Sequence, residues 1–265
     1  MKSIVIALII SIAMIANTSL KAQNTKWNGK QFAVALTYDD GLNVHLDNAI
    51  PALDKYGFRG TFYIPGKSTI MTRMDEWRKA AEEGHELGNH TLFHPCNGQS
   101  KGREWVSKEY DLDSYTLSQI KDEILVANTL LHAVDGKTER TFAYTCGDYE
   151  AENTSFKDFI GENFVGARDV IPEFNYLDST DLTSIHCFPV DGGETASQLI
   201  DIVNRGMKEG ALVVFLFHGV GGEHSLNVEL NVHNELLQYL NSIEDKVWVA
   251  PLVEIANYIK SNQTN

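Results

Sequence analysis

"FAVALTYDDG" (residues 32–41) reads as an apolar strand that runs into two adjacent carboxylates, Asp39 and Asp40, followed by Gly41. Neighbouring like charges repel, and each carboxylate favours water over a protein interior. Asp-Gly is also ordinary turn chemistry, so on its own the stretch reads equally well as a strand closed by a turn. Its surroundings decide the matter. Further strand candidates follow at 59–64, 85–90, 140–144, 164–169, 182–188, 211–217 and 246–250. Helical patterns lie between them, at 44–56, 74–83, 195–209, 231–243 and 252–261. The clearest places Leu117, Ile120, Ile124, Ala127, Leu131 and Val134 on one face, with Thr116 and Gln119 as a capping box and Gly136 at its end. Such alternation indicates a parallel α/β fold, either a barrel or a doubly wound sheet. No G-x-G-x-x-G follows the first strand, which weakens the dinucleotide-binding version. No repeat or linker interrupts residues 23–265, which are expected to form one domain. Residues 95–115 form a long irregular insertion.

The N-terminus stands apart. Lys2, the apolar run from Ile4 to Ala16 and the polar stretch after it have the layout of a secretory signal peptide, with cleavage expected after Ala22. The run is too short to span a membrane, for which about 20 apolar residues are needed. An exported protein, periplasmic or extracellular, is therefore expected. Removing residues 1–22 takes away two lysines and no acid, moving the net charge from −14 to −16. So acidic a chain is a poor partner for nucleic acid or an anionic membrane surface. Apolar and charged fractions of 43% and 22% are those of a globular protein. The three cysteines, Cys96, Cys146 and Cys187, have no C-x-x-C spacing and allow at most one internal disulfide.

Polar residues gather where strands end. Asp39 and Asp40 close the first, His90 the third with His94 following, "CGDY" (146–149) comes after the fourth, and His218 ends the seventh. In a parallel barrel the C-terminal strand ends open onto one face, so these separated stretches would share a pocket. His90 and His94 are four apart, and a helical turn would set both imidazoles on one side. Two histidines and one carboxylate are a divalent-metal set with open positions. Thr91 stands where a zincin protease has its glutamate base, so the base must come from elsewhere. The aspartate pair supplies it. Past the strand end both carboxylates can reach one site, where one binds the metal and its neighbour accepts a proton from water.

"LTYDDG", "HTLFHP", "RTFAYTCGD" and "FLFHG", in this order, resemble the NodB-homology polysaccharide deacetylases, carbohydrate esterase family 4, over about residues 32–260. The resemblance implies a distorted (β/α) barrel of seven or eight strands that removes N- or O-acetyl groups from a glycan with one divalent ion, zinc by default. It also implies Asp40, His90 and His94 as metal ligands, Asp39 as general base and His218 as the acid for the leaving group. The oxyanion N–H is implied near Cys146. Cys146, Tyr144 and Trp105 are expected to line the substrate pocket. Two departures stand out. Ala143 lies where many members carry an arginine that orients the catalytic aspartate, and Arg140 and Arg168 are the substitutes to consider. No fourth-motif aspartate supporting the catalytic histidine is recognisable, with Asp178, Asp181 and Asp191 as candidates. The missing arginine motivates an alternative, a glycan-binding barrel without turnover; hydrolysis of a non-sugar amide is another.

Among the remaining residues, Trp105, Tyr110 and Tyr115 either stack on sugar or pack the insertion onto the barrel. Cys96 and Cys146 read as two unpaired thiols, with a disulfide or a contact to the metal as the alternatives. His224 reads as a surface residue on a flexible glycine-rich rim loop, and His186 as a satisfied core residue. His45 is too far along for ligation, and His85, His132 and His233 have no assigned role.

Overall fold

The computed structural model describes residues 26–263; the expected leader at 1–22 lies outside them. Eight parallel strands form one sheet: β1 (Phe32–Asp39), β2 (Thr61–Ile64), β3 (Glu86–Asn89), β4 (Thr141–Ala143), β5 (Gly166–Arg168), β6 (Phe188–Pro189), β7 (Leu212–Phe217) and β8 (Val247–Val249). Seven run in the order β5-β4-β3-β2-β1-β7-β6. β7 follows one flank of β1 from Ala33 to Tyr38, while β8 and β2 share the other flank, β8 beside Phe32–Val34 and β2 beside Thr37–Asp39. β1 is thus paired on both sides and buried along its whole length.

Between β5, at one end of this order, and β7 runs the segment 182–189. It gives Ala167 and Asp169 backbone partners in Leu182 and Ile185, then pairs with Phe215 and Leu216 as β6. The architecture is the expected distorted (β/α) barrel. The expected strand at 182–188 is the exception, since only its last residue, Phe188, joins Pro189 in regular pairing. Polar residues in that stretch bond sideways: Ser184 Oγ and His186 Nδ1 both reach the Asp169 carboxylate, each at 2.7 Å.

Helices α1 (Ile50–Asp54), α2 (Met74–Glu82), α3 (Leu117–Asp135), α4 (Lys157–Asn163), α5 (Ala196–Glu209), α6 (Leu230–Ser242) and α7 (Leu252–Asn262) connect the strands. α3 has both expected terminal devices: the Thr116–Gln119 capping box and Gly136 in the left-handed region at φ 67°. The expected helix at 44–56 is split, a π-turn over His45–Ala49 running into α1 at Pro51. α4 has no counterpart among the expected elements. The insertion at 95–115 forms only two 3₁₀ turns.

Candidate active site

All eight residues expected at the site line one cavity of about 730 Å³: Asp39, Asp40, His90, His94, His218, Cys146, Tyr144 and Trp105. The backbone that delivers them is unusual. Asp40, Thr91, His94 and Cys146 all have positive φ, at 80°, 63°, 56° and 55°. For Thr91 in particular, a β-branched residue, this region is disfavoured, and such residues persist only where surrounding bonds fix them. Here they are fixed. Asn89 Oδ1 accepts the Thr91 N–H, Thr91 Oγ1 accepts the His94 N–H, and the buried Glu123 of α3 accepts those of Leu92 and Phe93. The expected helical turn between the histidines is absent. A bonded left-handed loop brings the two rings together instead, 4.7 Å apart.

The aspartate pair is divided. Asp39, still on β1, is buried, and Arg168 Nη2 donates to both of its oxygens, at 2.7 and 2.5 Å. Arg168 comes from the end of β5, not from the position of Ala143, and so fills the apparent gap. Its guanidinium lies 5.1 Å from the Tyr63 ring, for which Gly88 makes room: a Cβ there would sit 2.4 Å from that ring. Arg140, the other substitute considered, pairs with Asp135 instead.

Asp40, turned the opposite way by its left-handed backbone, meets histidines. Its Oδ1 is 3.7 Å from His90 Nε2 and 3.4 Å from His94 Nε2. Burial alone would raise this carboxyl, but His94, His90 and their neighbours hold it below the usual range. A tetrahedral ion with ligands at about 2.1 Å sets neighbouring ligand atoms about 3.4 Å apart, close to both distances. His90 Nδ1 donates to the Ala143 carbonyl at 2.9 Å, which leaves Nε2 unprotonated toward the carboxylates. Burial pushes the His90 imidazole down to about 4, so it stays neutral at physiological pH. The set fits a divalent ion.

Several expectations need correction. Cys96 and Cys146 form a disulfide rather than two free thiols, tying the loop after His94 to the turn at Cys146. Arg103, in the insertion, reinforces that tie through the Cys146 carbonyl and the Asp148 carboxylate. His224 is partly exposed but belongs to the cavity: its ring stacks 4.8 Å from that of His218, and Nε2 is 3.8 Å from Asp40 Oδ2. Its loop is tied down by the pairing of Gly219 and Val220 with Asn227 and Val228. Leu226 N–H donates to His224 Nδ1 at 3.0 Å, so in the neutral ring the proton is on Nε2. His186 is partly exposed and pairs with Asp169, so it is no core residue. None of Asp178, Asp181 and Asp191 supports His218, whose buried Nδ1 has no hydrogen-bond partner. His45 is no ligand and holds the His218 carbonyl at 2.7 Å. Of the three insertion aromatics, Trp105 lines the cavity, Tyr110 stacks on Phe93 and Tyr115 is buried.

The profile of the polysaccharide deacetylase family matches residues 26–158. Among curated proteins, a gellan lyase of a Bacillus species is 24% identical over 89% of this chain, though the match covers only 10% of that protein. The peptidoglycan-N-acetylmuramic acid deacetylase PdaA of Bacillus subtilis is 27% identical over 43% of this chain and 38% of its own length. The chain therefore spans well under half of these relatives. A probable polysaccharide deacetylase from Pseudomonas aeruginosa PAO1 has the same fold, with a TM-score of 0.64 at 13% identity, over 90% of this chain and 94% of that one. Among the described residues, no helix is long and apolar enough to cross a membrane.

Proposed function

Because the chain belongs to the polysaccharide deacetylase family, we propose that it is an exported hydrolase that removes acetyl groups from an acetylated glycan. Asp40, His90 and His94 would hold one divalent ion, zinc by default. The observation that carries this reading is the division of the aspartate pair: His90 Nε2 lies 3.7 Å from Asp40 and 3.8 Å from Asp39, but His94 faces Asp40 alone while Arg168 holds both oxygens of Asp39. Two adjacent carboxylates with different partners can take different roles. The ion would supply Lewis acidity to the acetyl carbonyl and to a water.

The chain's own residues do the rest. Asp39, its oxygens fixed by Arg168, accepts the proton of the attacking water, whose oxygen bonds to the acetyl carbon. In the turn at Cys146, the N–H groups of Gly147 and Asp148 are taken by the Tyr144 and Thr145 carbonyls. The Cys146 N–H is left to meet the oxyanion. The bond from acetyl carbon to sugar nitrogen or oxygen then breaks. His218, with Nδ1 buried and Nε2 left to the cavity, acts as the imidazolium and gives the leaving group its proton; acetate departs, and the proton that Asp39 took from water returns to His218. Arg168 beside Asp39 also removes the motive for a binding barrel without turnover.

The test is acetate release by the zinc-loaded protein from acetylated xylan, chitooligosaccharides and peptidoglycan, beside an Asp39→Asn variant. Release from one substrate, lowered by about 10² or more in the variant while zinc stays bound, is expected. No release from any of them with zinc bound would overturn the reading.

A further inference from the structure

In a chain with 36 acids to 22 lysines and arginines, the cavity rim is cationic. Asp39 is paired with Arg168, and Asp40 belongs to the proposed ion site. The rest of the charged lining is Lys67, Lys101, Arg103 and a single acid, Asp191. Arg103 is neutralised by Asp148, but neither lysine has a carboxylate partner among the described residues. Lys67 is also placed rather than loose. Its N–H bonds the Leu92 carbonyl at 2.7 Å, in the loop that carries His94. Its ammonium lies 4.9 Å from the Tyr110 ring centre and 3.3 Å from the Tyr110 hydroxyl, and Tyr110 in turn stacks on Phe93 at 5.5 Å. An ammonium held by an aromatic face keeps its full charge for a ligand. Lys101 is in the insertion, which Arg103 and the Cys96–Cys146 disulfide fasten to the same rim.

We propose that this rim selects an acetylated glycan that carries carboxylates, seating a negative sugar against Lys67 and Lys101 while the acetylated unit enters the cavity. The inference rests on the deacetylase reading. A neutral glycan could accept hydrogen bonds from two ammonium groups but would gain no ion pairing from them. A polyanion is repelled by the acidic bulk of the protein and needs local cations at its point of contact. Charges are screened over about 8 Å at physiological salt, so the lysines at the rim decide the local balance.

Two matched pairs of polymers test this: an O-acetylated polyuronate and an N-acetylglucosamine–uronate copolymer, each beside a counterpart reduced at its carboxyls and acetylated to the same degree. Binding is measured by calorimetry on the zinc-loaded Asp39→Asn protein, and acetate release on the unmodified protein. In at least one pair the carboxylated member should bind about 5-fold tighter or more at 50 mM NaCl, with the preference falling below about 2-fold at 0.5 M. Lys67→Gln with Lys101→Gln should lower the preference about 3- to 10-fold, and Lys67→Arg with Lys101→Arg should keep it. Equal binding within both pairs, or a preference unchanged in the glutamine variant, would overturn the inference and leave the deacetylase reading intact. Acetate release from none of the four polymers, nor from xylan, chitooligosaccharides or peptidoglycan, would overturn that reading, whereas binding would still show the carboxylate preference.

Discussion

Replacing Arg168 with methionine should damage both stability and catalysis, and the two effects can be separated. The guanidinium is fully buried, and its Nη2 supplies both hydrogen bonds to the Asp39 carboxylate. Removing one partner of a buried pair leaves the other charge stranded and costs about 3–5 kcal/mol. Asp39→Asn strands the arginine and should cost a similar amount. The double variant strands neither charge. It should lose about as much as either single change, not the roughly 6–10 kcal/mol of their sum, a coupling of about 3 kcal/mol or more. Bonds from Arg168 to the Asp169 carbonyl and Cys187 are lost in both backgrounds and cancel. Urea unfolding of the four proteins gives the cycle. Arg140→Met is the control, since Arg140 pairs with Asp135 in equal burial without lining the cavity. It should cost comparable stability and leave kcat within about 2-fold, whereas Arg168→Met should lower kcat by about 10² through a misplaced base. Additive losses within about 0.5 kcal/mol, or an unchanged kcat for Arg168→Met, would refute the pairing argument.

The Cys96–Cys146 disulfide closes a loop with a sequence separation of 50, worth about 4 kcal/mol in the chain-entropy account. Unfolding of the oxidised protein against a Cys96→Ser/Cys146→Ser variant should show that loss, and a difference below about 1 kcal/mol would contradict it. Acid should destabilise the fold through His45 and His233, which burial pushes down to about 4 and about 3. Folded, both stay neutral where the unfolded chain takes up protons, so their contribution is complete above about pH 6.5 and is lost as pH falls, to about 4 for His45 and about 3 for His233. Removing one of them, as in His233→Phe, should flatten stability against pH across that window by about 1.4 kcal/mol per unit. An unchanged slope would contradict it.

The fold was legible because its signals are local. The apolar run of β1, the Thr116 capping box and Gly136 each act within a few residues. The residues of the proposed metal set were legible for a related reason: each closes or follows a strand, and a parallel barrel gathers strand ends. What escaped depends on distances across the barrel. Arg168 follows Asp39 by 129 positions and meets it only because β5 and β1 open on the same face. The disulfide needed two loops to be neighbours. His224 escapes a sequence reading because "GVGG" suggests slack, whereas Gly222 N–H is bound to the Asn227 side chain and the loop folds back onto His218. α4 went unread because its seven residues bury little besides Ile160, too short a stretch to show a helical period.

The irregular segment 182–189 makes the proposed catalytic apparatus a gauge of ring closure. Three backbone hydrogen bonds join it to Ala167 and Asp169, on either side of Arg168. A molecule in which this seam has parted would keep its helices, most of its sheet and Asp40 between its two imidazoles. The arginine would lose the neighbours that aim it at Asp39. By circular dichroism or zinc content such a molecule would pass as native, and turnover would be the measurement that gave it away.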